Sequence, residues 1–227
     1  MPGTSPFRGR PAMRNRTIRT TILAASVLCL CGFTIVWDSE KTAGEGAAVA
    51  ATDETRMAAY AEEAWEPKVM PEIASHVVPL TDLRAAMASD PDAAGEQYGF
   101  PRDGETSPWN FAVSGEGKIV EAKLKSRAAK LQVDTDGDGK GDVTVQLGPI
   151  IRGTALRDAM PFIVFTDFRD QIEFAKLANA LNAVAHSRLT LPEGDVVGQT
   201  ARFEGVIALK GDAQSVELVP TQLQIGE

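Results

Sequence analysis

The sequence predicts an α+β protein in which an N-terminal membrane helix and a helical preface precede a mainly antiparallel β domain. Three observations predict this class. Residues 20–37 form one uncharged apolar run, and residues 53–98 carry strong helix formers. From Trp109 the apolar period changes from 3.6 to 2, interrupted only by one long helical stretch before the last two strands.

The apolar run from Thr20 to Trp37 reads TTILAASVLCLCGFTIVW. As a helix its 18 residues would be about 27 Å long, close to the thickness of a bilayer core. Five arginines and no acid precede it, so the positive-inside rule predicts a cytoplasmic N-terminus and an exported remainder. The predicted parts are a cytoplasmic tip at 1–19, a signal anchor or signal peptide at 20–37, a linker at 38–51 and one exported domain at 52–227. Within that domain we expect a helical preface at 52–100 and the β domain at 109–227.

Three fates of this run remain open. An uncleaved anchor, which gives a single-pass inner-membrane protein with its C-terminal domain in the periplasm, is the first choice. A lipoprotein modified at Cys29 or Cys31 is the alternative, although leucine rather than a small residue precedes each cysteine. Cleavage near Ala48 is the third. No cysteine follows Cys31, so the exported domain has no disulfide and depends on its core.

The preface contains several residues that are typical of helix starts. Asp53 can cap a helix that runs to Trp65 and that Pro67 should stop. Thr81 can open a second helix, and Asp90 followed by proline a third.

The β domain begins with strands at NFAVS, GKIVEAKLK, KLQVD and DVTVQLG, which we expect to form an antiparallel meander. A long helix at 167–186 follows, capped by Thr166 or Asp167. ARFEGVIALK and QSVELVPTQLQI form a closing hairpin, with a bulge or an edge near Pro220. This order is that of a small OB-like barrel with a helix between its third and fourth strands. A simple α+β sheet with one covering helix would produce the same pattern.

The charge distribution argues against nucleic acid as a partner. The whole chain has a net charge of −8, but the residues after Trp37 carry 18 bases and 31 acids, a net charge of −13. Such a surface repels phosphate backbones.

The most specific chemical signal is an acidic loop with the spacing of a calcium site. Asp134, Asp136, Asp138 and Asp142 stand at positions one, three, five and nine, and Gly139 at position six. Lys140 would contribute its carbonyl oxygen. Position twelve is Val145 rather than a bidentate glutamate, so the expected Ca²⁺ affinity is weak, roughly 10⁻⁴ to 10⁻³ M.

Alternatively, this loop is a turn whose carboxylates bond backbone amides. Other catalytic signals are weak, since only His76 and His186 could serve as histidine ligands or bases and they lie far apart in sequence. No nucleophile elbow, P-loop or dinucleotide fingerprint is present.

Three segments of the sequence carry a resemblance to a known family, and the longest of them contains the acidic loop. The segment VDTDGDGKGDVTVQLGPIIRGTALRDAMPF, together with the helix from Phe168 to Asn182 and FAVSGEGKIVEAK, resembles an uncharacterised bacterial family of predicted periplasmic lipoproteins. The resemblance covers Trp65 to the C-terminus. Members are often encoded beside ABC transporters for simple sugars, which implies a sugar ABC transporter or its binding protein as the partner. The resemblance implies no established activity.

The resemblance also implies a signature set of polar residues. They could be architectural, because Thr154 can cap a short helix and Arg157 can pair with a neighbouring acid. Fork-shaped donors and amides this close together could equally bind a sugar-like or carboxylate ligand. The set comprises Arg152, Gly153, Thr154, Arg157, Asp158, Asp167, Gln171, Asn179 and Asn182.

Two functions of different classes follow. The first is a membrane-tethered periplasmic accessory or binding protein associated with sugar ABC transport. The second is a small envelope enzyme that acts on a carbohydrate through carboxylates such as Asp158 or Asp167. The first is favoured. A pocket that holds two carboxylates about 5 to 10 Å apart, one of them in an apolar setting, would point to the enzyme.

Overall fold

The computed structural model describes residues 52–209 and 213–226. The predicted membrane run, its linker and both candidate lipidation cysteines, Cys29 and Cys31, lie outside the described residues. Within the described ranges, no helix is both long enough and apolar enough to cross a membrane.

The described chain begins with the predicted helical preface. Thr52, rather than Asp53, caps the first helix, since its hydroxyl accepts the amide of Thr55. The preface contains α1 (Asp53–Ala64), α2 (Met70–His76), the two-residue strand β1 (Val78–Pro79), α3 (Leu80–Ser89) and α4 (Pro91–Tyr98).

The prediction that Pro67 ends the first helix is wrong. Residues Trp65–Val69 form one π-helical turn, and α2 follows without a break. The amide of Met70 bonds to the carbonyl of Trp65, five residues back. The wider turn accommodates the missing N–H of the proline, which an α-helical turn could not do without a kink.

A closed five-stranded barrel follows, which confirms the OB-like architecture. The strand order is β2-β3-β4-β6-β5, and β5 pairs back onto β2; β1 adds to the outside of β2 in parallel. β4 and β6 are parallel, and the other barrel pairs are antiparallel. The strands are β2 (Trp109–Lys123), β3 (Lys130–Asp134), β4 (Val143–Gln146), β5 (Thr200–Leu209) and β6 (Val216–Gly226).

The two strands expected at NFAVS and GKIVEAKLK are one continuous strand of 15 residues, β2. Its first part pairs with β5 and its second with β3, and Lys118 pairs with both. Gly117 lies beside this change of partner. A Cβ atom there would lie 2.1 Å from the carbonyl oxygen of Asp134, so only glycine permits this approach of β2 to β3.

The long helix starts later than predicted. Residues Phe165–Asp167 form a 3₁₀ turn and Phe168 is extended, so neither Thr166 nor Asp167 caps the helix. Asp170 does, because its side chain accepts the amide of Glu173, and α6 spans Gln171–Arg188. The short helix α5 (Ala155–Asp158) precedes it.

A bulge interrupts the closing hairpin, as predicted. The register of β5 against β6 shifts between Glu204 and Gly205, which face Gln222 and Pro220. Thr221 is the extra residue, and its hydroxyl donates to the carbonyl of Glu204.

Two apolar cores share the wall of the barrel. Phe111 and Val113 of β2 point into the barrel interior, which α3 also covers with Leu83. Ala112, between them in sequence, faces the other way and packs under α1, α5 and α6. The wall is thus buried on both sides, and the preface is part of the fold rather than an appendage.

Candidate functional site

A cleft of about 330 Å³ lies beside the start of β2, and we call it the Arg157 cleft. Three segments enclose it: the loop 101–108, the chain from α5 to 164, and the first turn of α6. Its apolar lining includes Met160, Ile163 and Phe174. Its polar lining consists of Arg102, Asp103, Ser107, Asn110, Arg157 and Asp158.

The cleft brings together Arg157 and Asp158 of the signature set. The guanidinium donates from Nε and Nη2 to Asp158 Oδ1, at 2.8 and 2.6 Å, and from Nη1 to the carbonyl of Phe174. It also lies over the Phe174 ring, 3.8 Å from the centroid, and the Arg157 side chain is only 11% exposed. Thr154 donates its hydroxyl to the second oxygen of Asp158 at 2.6 Å. These contacts fix both groups at the cleft wall.

Asn110 is the unusual residue of the cleft. It lies in β2 opposite Ala208 and is 3% exposed. Its Oδ1 is buried and accepts no hydrogen bond from any described residue. A buried polar atom without a partner costs roughly 1 to 3 kcal/mol, so a ligand donor here would relieve a cost that the fold carries.

Arg102 is the lining residue that the loop 101–108 contributes with a positive charge. Its guanidinium lies over the ring of Trp109, 4.0 Å from the centroid, and its Nη1 donates to the carbonyl of Ser107 at 3.4 Å. Among the described residues it forms no ion pair at 4.0 Å or less. With Asp103 and the Arg157–Asp158 pair, it gives the lining two positive and two negative charges.

The other predicted polar residues lie outside this cleft. Asn182 is buried and donates to the carbonyls of Ile151 and Gly153, so it ties α6 to the loop before α5. The backbone of Arg152 bonds to the side chain of Gln146. The side chains of Arg152, Asp167, Gln171 and Asn179 are exposed.

The acidic loop gathers three of its four aspartates. Ligand atoms of Asp134, Asp136 and Asp138 lie within 4.8 Å of one another, the one such group of three metal-binding side chains in the described ranges. Asp134 is buried, and its two oxygens accept the amides of Gly137 and Gly139 at 2.7 and 2.8 Å. Gly139 has φ of +84°, which the sharp turn requires.

Hydrogen bonds within this loop lower the pKa of two of its carboxyl groups, those of Asp134 and Asp138. Burial acts to raise the pKa of Asp134, but the amides of Gly139 and Gly137 outweigh it and keep that pKa below its usual value. The backbone amide and then the ammonium of Lys140 lower the pKa of Asp138. The Lys140 ammonium lies 3.1 Å from Asp138 Oδ2.

Asp142 is not part of the group of three. Its Oδ1 accepts the amide of Thr135, and its Oδ2 accepts the Thr135 hydroxyl at 2.8 Å and Arg84 Nη1 at 3.0 Å. Arg84 also donates to the carbonyl of Ala213. Asp142 thereby links the loop to α3 through Arg84, and position nine of the spacing does not join the other three aspartates.

The sequence did not single out Asn110 or Arg102. One signal was available for Asn110: it is an amide placed between Trp109 and Phe111 at the start of a buried strand. The meeting of Arg102 with Arg157, which is 55 positions later, depends on the chain path and has no local signal.

Comparisons with known proteins agree with this fold. Residues 23–224 match the model of a family described as predicted periplasmic lipoprotein (DUF2291). The crystal structure of an OB-fold protein from Thermotoga maritima matches with a TM-score of 0.57 and 21% sequence identity, over 74% of this chain and 97% of that chain. At this identity the likeness establishes the OB fold alone. No curated protein matches the sequence.

Proposed function

The chain belongs to the family of predicted periplasmic lipoproteins, and from this premise we propose that it is a membrane-tethered periplasmic binding protein. The tether is the N-terminal segment, and the family description favours the lipidated form, with Cys29 or Cys31 as the attachment residue. The Arg157 cleft holds a small, neutral, hydroxylated ligand. A sugar ABC transporter or its binding protein is the partner, a proposal that rests on the family resemblance.

The observation that carries the ligand proposal is a charge-balanced cleft lined by Asn110, whose buried Oδ1 has no hydrogen-bond partner among the described residues. An anionic ligand would meet Asp103 and Asp158, and a cationic one would meet Arg102 and Arg157. A neutral hydroxyl can donate to an amide oxygen such as that of Asn110 and accept from a guanidinium at the same time. The volume of about 330 Å³ is at the small end of ligand pockets, which suits one sugar ring.

The geometry supports binding better than acid–base catalysis. Asp158 already accepts two hydrogen bonds from Arg157 and one from Thr154, so these residues hold its carboxylate at the cleft wall. Asp167, the other acid of the enzyme hypothesis, does not line the cleft, and the second carboxylate of the lining is that of Asp103. A general base must lie within hydrogen-bond reach of the proton that it removes.

Replacing Asn110 by leucine tests the ligand proposal. The substitution keeps the approximate volume and removes the amide, so monosaccharide affinity is expected to fall about tenfold. The probes are D-xylose, D-ribose and D-glucose, titrated by calorimetry into the full chain in detergent micelles. Asn179→Ala, an exposed amide on α6, is the control and should leave affinity unchanged.

Two results would contradict the ligand proposal. One is the absence of binding by the folded wild-type chain for every neutral sugar at millimolar concentration. The other is an equal loss of affinity in Asn179→Ala, which would separate the effect from the cleft.

The partner proposal has its own test. The tagged chain, solubilised from native membranes, is expected to co-purify with subunits of a sugar ABC transporter or with its binding protein. Recovery of the chain without any transporter component, after cross-linking in intact cells, would argue against this partner.

We also propose that the acidic loop binds Ca²⁺ through Asp134, Asp136 and Asp138. The convergence of three carboxylates within 4.8 Å supports this proposal. The amide bonds to Asp134 do not preclude it, because each carboxylate oxygen has a second lone pair. Asp142 is engaged by Arg84, so a bound ion would take the carbonyl of Lys140 and water as further ligands.

Calcium is therefore expected to raise the melting temperature. With a dissociation constant of roughly 10⁻⁴ to 10⁻³ M, 10 mM Ca²⁺ adds about 1.4 to 2.7 kcal/mol to the free energy of unfolding. For a chain of this size that is a rise of about 3 to 10 °C, measurable by calorimetry in micelles. Asp136→Asn should abolish the rise, and Asp195→Asn, in another loop, should not. A melting temperature that is indifferent to Ca²⁺ would exclude the site.

A further inference from the structure

The hairpin of β2 and β3 carries a concentration of basic residues that the acidic composition of the exported chain does not predict. Between 118 and 130 there are five bases and one acid, Glu121. Lys123, Lys125 and Arg127 are exposed, and Lys130 is half-buried. We call these four residues the basic face.

Repulsion between the cations of the basic face destabilises the β2–β3 pair. Lys123 and Lys130 are direct partners in the antiparallel pair of β2 and β3, and like charges opposite one another destabilise a sheet. Glu121 offsets part of the repulsion, since its carboxylate lies 2.7 Å from Lys123 Nζ. Among the described residues, Lys125, Arg127 and Lys130 have no carboxylate within 4.0 Å. The cations thus remain available for an external anion.

Aliphatic side chains stand beside these cations. The amide of Ile150 bonds to the carbonyl of Arg127, and Ile150 is 42% exposed. An open groove is lined by Leu124 and Lys125, by one acid, Asp195, and by Val197, which is 52% exposed. Exposed aliphatic residues next to lysine and arginine are typical of surfaces that insert shallowly between lipid headgroups.

We propose that the basic face docks on an anionic bilayer surface. Charge complementarity selects the orientation, because a negative surface attracts these four residues and repels an otherwise acidic domain. Ile150 and Val197 then enter the headgroup layer. Membership of a lipoprotein family keeps the domain close to a membrane, which raises the effective concentration of that surface. The docking does not depend on the Arg157 cleft or its ligand.

The test compares two vesicle compositions with the same full-length chain, so that the N-terminal tether is common to both. Vesicles contain phosphatidylcholine alone or phosphatidylcholine with 30% phosphatidylglycerol, and amide hydrogen exchange is measured by mass spectrometry. Exchange in peptides covering 123–130 and 149–151 is expected to be slower on the anionic vesicles. The difference should shrink in 0.5 M salt, because screening shortens the reach of the charges.

Charge reversal provides the matched variants. Lys123→Glu, Lys125→Glu and Arg127→Glu together should remove the slowing, since each base near an anionic surface contributes about fivefold to association. Lys68→Glu, Arg188→Glu and Arg202→Glu make the same change of net charge at exposed positions outside the basic face and should retain it.

Equal exchange on the two vesicle compositions would overturn the proposal. So would slowing of the same peptides by soluble polyglutamate and by neither vesicle, which would identify an acidic polypeptide as the occupant.

Discussion

Replacing Trp65 by alanine is expected to lower the free energy of unfolding by about 3 to 5 kcal/mol. The indole is 2% exposed and lies on the π-helical turn, where it packs in the core that α1 and α2 share with α6 and the barrel wall. Losing it leaves a cavity between the preface and the barrel. Guanidinium unfolding of the full chain in micelles measures the change.

The number of unfolding transitions shows whether the preface and the barrel unfold together. Because the preface and the barrel share this core, one cooperative transition at a lower midpoint is expected. Glu63→Ala, an exposed residue on α1, should change the free energy by no more than about 0.5 kcal/mol. An unchanged barrel transition, preceded by separate loss of the preface helices, would mean that the preface is an independent unit.

The second large effect is expected at Gly117. Alanine there would place Cβ 2.1 Å from the carbonyl oxygen of Asp134, and the obstacle is backbone, which cannot rotate away. We expect a loss of about 3 kcal/mol, the upper end of the usual cost of overpacking. The strands must separate where β2 changes partner, so the acidic loop that starts at Asp134 should also lose its response to Ca²⁺.

Gly226→Ala is the matched control for this substitution, since a Cβ atom at that strand position meets no atom within 4 Å. Thermal unfolding with and without 10 mM Ca²⁺ distinguishes the two variants. Equal stability of Gly117→Ala and the wild type would contradict the close approach of β2 to β3.

Much of the fold could be predicted because its signals are local. The change of period at Trp109 appears within a few residues, and Pro220 marks the bulge through its missing N–H. Barrel closure is different, because it depends on β5 pairing with a strand some 90 positions earlier. The alternation of apolar residues does not indicate that β2 continues through two glycines or that it changes its pairing partner.

Two predictions from local sequence were wrong because the conformation of an adjacent segment determined where the helix ends or begins. Pro67 should end a helix, but a π turn that the buried Trp65 anchors takes the chain past it. The sequence predicted Thr166 or Asp167 as the cap of the long helix, but the 3₁₀ turn at Phe165–Asp167 delays the start of the helix and Asp170 caps it.

The candidate sites divide in the same way. The acidic loop is visible as spacing, because its ligands and its glycine lie within nine residues. The engagement of Asp142 by Arg84, 58 positions away, is not. Arg157 and Asp158 were indicated by the family resemblance. Asn110 became a candidate only because its Oδ1 is buried without a partner and the residue lines a cleft formed by distant segments.

The central claim, that the Arg157 cleft binds a small neutral hydroxylated molecule, is tested most directly by nuclear magnetic resonance. The ¹⁵N-labelled full chain in micelles is titrated with D-xylose, D-ribose, D-glucose and, as a charged comparison, gluconate. We expect saturable amide shifts in 101–110 and 157–164 with at least one neutral sugar, and weaker shifts in Asn110→Leu. Shifts that are absent from both segments, or that only gluconate produces, would contradict it.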